Sequence, residues 1–134
     1  MSKSSRLLSI MLVISLLFTL FPYASATDVS PRYVKIQSFF FDFSIDSLGT
    51  AECKGSIEVR DTSLVKISLK LQRYQNGSWV TVETWSKTGA GIASLYKTKT
   101  VSHGYTYRLV VTGYAYDSNN VLIETDEGIR SSHY

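Results

Sequence analysis

The sequence predicts an all-β protein built as a single antiparallel β-sandwich of about seven strands. Three observations predict it. Runs of alternating apolar and polar residues fill the chain after residue 33, turn-forming residues punctuate them at short spacing, and no helix-period stretch of useful length competes. The connections are too short for crossover helices, so neighbouring strands must be antiparallel.

The segment before the strands has a different character. Lys3 and Arg6 precede an uncharged apolar run, Leu7 to Phe21, which Pro22 ends. Ala24-Ser25-Ala26 then offers the small residues that a signal peptidase requires, so residues 1–26 read as a cleavable secretory signal. Residues 27–32 are expected to be a flexible mature N-terminus, and residues 33–134 the sandwich domain. No second apolar span follows, which predicts a secreted, extracellular protein without stable membrane insertion after cleavage. Loss of Lys3 and Arg6 lowers the formal net charge from +3 to +1. The remaining charges are interspersed, so the concentrated cationic face that nucleic-acid binding needs is missing.

The first strand lies in "YVKIQSFFFDFSI", with Phe39, Phe41, Phe43 and Ile45 on one side and Phe40 on the other. "DSLG" turns the chain into a second strand, Thr50 to Arg60, where Ala51, Cys53, Gly55, Ile57 and Val59 share the inward parity. Cys53, the one cysteine, is thereby expected to be a buried, inert thiol. In the third strand Val65, Ile67, Leu69 and Leu71 face in. Asn76-Gly77 then favours a two-residue hairpin turn into the fourth, "SWVTVETW".

A regular ladder from that turn pairs Tyr74 with Trp79, Leu71 with Val82 and Lys70 with Glu83. It sends Val80 and Val82 inward and Tyr74, Trp79 and Trp85 outward. After the break "KTGAG", a fifth run spans Ile92 to Val101. "YTYRLVVTGYAY" and "VLIETDEGI", joined by "DSNN", complete the set.

In "VSHGYTYRLVV", the spacing of Val101, Gly104, Tyr107, Leu109 and Val111 resembles fibronectin type III domains. That resemblance implies an immunoglobulin-like sandwich in which Tyr107 folds back to hydrogen-bond the chain at a strand corner. The tryptophan usual in the second strand has no counterpart, and Cys53 and Gly55 stand in that region. "LQRYQNGSWVTVETWS", "VSHGYTYRLVVTGYAY" and the serine-rich end before Tyr134 also resemble an uncharacterised family of small secreted proteins of Gram-positive bacteria. That family brings no activity with it.

Catalytic chemistry has little to draw on. His103 sits in a turn and His133 near an end expected to fray, so neither makes a nucleophile–base pair with Cys53. No HxH, CxxC or EF-hand spacing occurs, and the polar residues of "YDSNN" and "TDE" are those of a hairpin turn. Asp42, Asp46, Glu83, Glu124, Asp126 and Glu127 are expected mostly at outward parity or in turns, without the long loops that build a glycosidase cleft. The prediction is a non-enzyme with no catalytic residues, no cofactor and no metal.

What remains is an aromatic face. Tyr74, Trp79 and Trp85, joined by Tyr114 and Tyr116 if the sixth strand neighbours the third, form the predicted binding surface. Its predicted partners are cell-wall glycan or another extracellular protein. The alternatives are a purely structural hairpin staple and, for the whole protein, a small toxin-like or antimicrobial factor.

Overall fold

The structure, a computed structural model, describes Lys35 to Tyr134. Residues 1–26, read above as a secretory signal, and residues 27–32 lie outside the described residues. Seven strands follow in order: β1 (Ile36–Ile45), β2 (Thr50–Val59), β3 (Leu64–Gln75), β4 (Ser78–Ala90), β5 (Ile92–Thr100), β6 (Thr106–Tyr116) and β7 (Leu122–His133). β1, β2 and β5 form one sheet in the order β1-β2-β5, and the other runs β4-β3-β6-β7. Every pairing is antiparallel, giving an immunoglobulin-like sandwich of three strands against four.

The alternation of side chains builds the core. Ala51, Cys53 and Ile57 of β2 meet Val65, Ile67, Leu69 and Leu71 of β3 and Leu109 and Val111 of β6, all fully buried. Phe39, Phe41 and Ile45 pack on this cluster from β1, while Phe40 points to the opposite side and is exposed. Gly55 accounts for the missing second-strand tryptophan. A Cβ there would lie 2.8 Å from Leu69 and 2.9 Å from Val111, so the facing sheet already fills that space.

Tyr107 behaves as the resemblance implies. It is 1% exposed, and its hydroxyl donates to the Ser102 carbonyl at 2.8 Å, closing the corner where the chain enters β6. Two strands run further than their alternation predicts. β4 continues through "KTGA" to turn at Gly91, and β7 continues to His133. The expected fraying near His133 is absent because Tyr134 exchanges backbone bonds with Tyr105 and its ring lies against Gly49.

Candidate functional site

The β3–β4 hairpin turns on Asn76 and Gly77, with φ of 53° and 79°. Both values lie in the left-handed region that this dipeptide tolerates. From the turn the ladder starts as predicted, pairing Gln75 with Ser78, Tyr74 with Trp79, Arg73 with Val80 and Gln72 with Thr81. Tyr74 and Trp79 face outward, with ring centroids 5.1 Å apart and planes tilted by 58°. The rings therefore make a wedge rather than a flat plate. Val80, on the inward side, overhangs the end of the core and stays 44% exposed.

Beyond Thr81 the predicted register fails. A bulge makes Leu71 face Glu83, Lys70 face Thr84 and Leu69 face Trp85, leaving Val82 as the extra residue. The reason is hydrophobic. Val82 and Trp85 have opposite parity in a regular strand, and one inserted residue lets both pack on the core. Trp85 is thus removed from the outward aromatic set and belongs to the inner face. Glu83 turns inward with it and meets Lys99 of β5 at 3.2 Å. The expected Lys70–Glu83 pair does not form.

Arg108 of β6 completes the outward cluster. Its guanidinium lies 4.2 Å from the centre of the Trp79 ring, and its Nε donates to the Gln72 side-chain oxygen at 2.8 Å. The Gln72 amide donates in turn to the Thr81 hydroxyl at 3.3 Å. An aromatic pair, a cation stacked on it and an amide that orients the cation are gathered at one end of the four-stranded sheet.

Tyr114 and Tyr116 do share this outward face, and β6 does neighbour β3, but they stand at its far end. Tyr114 is opposite Lys66, whose ammonium sits 5.4 Å from the ring centre. Lys66 and Tyr74 are eight positions apart on β3, roughly 27 Å at strand rise. The predicted aromatic surface is therefore two separate places.

A third place escaped the sequence pattern. On the outer face of the three-stranded sheet, Phe40 of β1 and Tyr96 of β5 wall a shallow groove of about 400 Å³ over Ser56 and Ser94, whose hydroxyls bond to each other at 2.8 Å. The Tyr96 hydroxyl donates to Glu52 at 2.8 Å, and Lys54 lies beside the ring. Phe40 carries a signal in its parity, opposite to its phenylalanine neighbours. Tyr96 carries none until β5 is known to pair with β2.

The reactive groups are otherwise engaged. Cys53 is fully buried, and desolvation pushes its thiol up to about 12, away from the nucleophilic thiolate. His103 packs edge-on against Tyr134. The Asp117 carboxylate accepts the Asn119 and Val121 amides of its own turn. Glu83, Glu124 and Asp126 take inward parity, contrary to expectation, along the open sides of the sandwich. There Glu124 accepts the Lys35 and Ile36 amides, while Arg130 reaches across to Asp42. Among the described residues no group of three or more histidine, cysteine, aspartate or glutamate side chains gathers as a metal site would require.

Fold and site together define a sandwich module that presents aromatic and cationic groups on its outer faces. No family model matches the chain, and no curated protein matches it.

Proposed function

We propose that the protein is an exported, non-catalytic module that acts by surface contact, and that the contact is with cell-wall glycan at the hairpin end of the four-stranded sheet. The observation that carries this reading is the Tyr74–Trp79 ring pair held outward beside Arg108. Aromatic rings supply apolar faces for the C–H surface of a sugar, and a guanidinium and amide beside them supply donors for its hydroxyls. Support for export comes from the apolar run and the Ala24-Ser25-Ala26 pattern. Tyr114, at the other end of the face, serves as the internal control.

In a sedimentation assay with purified cell walls, Trp79→Ala and Tyr74→Ala should each lower retention about tenfold. Tyr114→Ala should leave it unchanged, with all three variants folded by circular dichroism. Retention of the Trp79 and Tyr74 variants at the level of the unaltered protein would remove this reading.

A further inference from the structure

The bulge in β4 has an electrostatic effect on the site. In a regular ladder Glu83 would stand beside Lys70 on the outer face and neutralise it. The inserted residue instead sends Glu83 inward to Lys99 and sets the neutral Thr84 opposite Lys70. Lys70 is opposite Val110 on β6, one diagonal step from Arg108, which is opposite Gln72. Such diagonal neighbours on a sheet lie about 7–8 Å apart, within reach of long side chains.

Among the described residues the ion pairs are Lys35–Asp61, Lys99–Glu83 and Arg130–Asp42, so neither Lys70 nor Arg108 takes part in one. The carboxylate that the strands of this face do hold is Glu127, opposite Thr112 and two strands away from Lys70. Residues 64–82 and 101–116, which supply most of the face, contain no aspartate or glutamate. Arg108 is also set for a partner. Its Nε is held by Gln72 and its plane by Trp79, which leaves the terminal amines as a fork of fixed direction.

We infer that this site recognises an oligosaccharide bearing an anionic substituent, whose acid group lies between Arg108 and Lys70 while a sugar ring meets Trp79 and Tyr74. A guanidinium fork matches the two oxygens of a carboxylate or a phosphate, and a second cation one diagonal away adds attraction without adding another geometric demand. The inference rests on the glycan reading above and adds the charge of the ligand.

The test uses three probes of equal length: a β-1,4-glucose hexamer, the same hexamer with each C6 oxidised to a carboxylate, and the same hexamer phosphorylated at C6. Binding is measured by titration calorimetry at two salt concentrations. The acidic probes are expected to bind about tenfold to a hundredfold tighter than the neutral one, with the advantage shrinking at high salt. The stronger of the two acidic probes names the anion.

Arg108→Gln and Lys70→Gln should remove most of that advantage. Thr84→Glu, an exposed edge change that restores the carboxylate the bulge took away, should do the same. Trp79→Ala should weaken every probe, the acidic ones at least as much as the neutral one, because it also frees the plane of Arg108. Equal affinity for neutral and acidic probes, or an acidic preference untouched by Arg108→Gln and Thr84→Glu, overturns the inference and leaves the glycan reading standing. No binding of any probe overturns the inference, while the wall-sedimentation comparison of Trp79→Ala and Tyr74→Ala decides the glycan reading separately.

Discussion

At one end of the four-stranded sheet the same chemistry occurs on both faces. Inside, Arg73 lies 4.6 Å from the centre of the Tyr105 ring, and Tyr105 meets Tyr107 edge-on at 6.4 Å. Outside, Arg108 lies 4.2 Å from the centre of the Trp79 ring, and Trp79 meets Tyr74 at 5.1 Å. Arg73 and Tyr74 are consecutive, so the pleat alone separates the clusters. The inner cluster closes the sandwich, with Tyr107 buried and its hydroxyl satisfied by Ser102. The outer one touches no second layer and keeps its rings and cation available. An aromatic–arginine stack is thus not in itself a sign of either role; the layer it faces decides.

Tyr107→Ala breaks the comparison on its inner side and carries the largest expected effect. It removes a fully buried ring and a corner hydrogen bond, and should cost about 3–5 kcal/mol in urea unfolding. Trp79→Ala, on the outer side, should cost less than about 1 kcal/mol, the worth of a cross-strand pair at a surface. A Trp79 loss as large as the Tyr107 loss would make the outer cluster structural and deprive the binding reading of its basis.

The two tryptophans of β4 sharpen the contrast at the next level. Trp85 packs on the core only because the bulge at Val82 returns it to the inner face. Trp85→Ala should therefore cost about 2 kcal/mol, the value of a mostly buried side chain. Fluorescence of the Trp79→Ala protein, which reports Trp85 alone, should be blue-shifted relative to the Trp85→Ala protein. Emission of Trp85 at the position of a fully solvated indole would mean that Trp85 is in water and that the bulge does not form.

These differences show where the sequence is legible. The hairpin turn was readable because Asn76-Gly77 meets a backbone demand that few dipeptides meet. The strands were readable because burial on one side enforces a period of two. The corner role of Tyr107 was readable through the spacing it shares with fibronectin type III domains.

The bulge was not readable, because alternation carries no mark of an inserted residue. Only the competition of Val82 and Trp85 for the same face creates one. The inward turn of Glu83 depends on that bulge, and so does the standing of Lys70 as an unneutralised cation. The Arg108–Trp79 stack joins residues far apart in the chain, and the Phe40–Tyr96 groove spans β1 and β5 across β2. Both depend on strand order rather than on any local pattern. Tyr114 and Tyr116 show the complementary limit: parity gave their face correctly, but parity has no information on position along the strand.

The smallest effect separates the two guanidinium groups themselves. Arg73 has its Nε buried without a hydrogen-bond partner, and one terminal amine donates to the Gln75 side chain at 2.7 Å. A partly desolvated cation with an unsatisfied donor contributes little net stability, because the cost of removing it from water offsets its stacking energy. Methionine keeps the apolar stem and discards the charge. Arg73→Met should leave stability unchanged or raise it by up to about 1 kcal/mol. Arg108→Met should lower stability by about 0.5–1 kcal/mol, since its stack and its bond to Gln72 are made at a solvated surface. Opposite signs in parallel urea titrations would show that one stack is tolerated inside the fold for the packing of its stem, while the other is stable in water. A loss of more than about 1 kcal/mol in Arg73→Met would mean that the inner cation is itself a fastening of the sandwich, and the division of roles between the faces would then have to rest on Tyr107 alone.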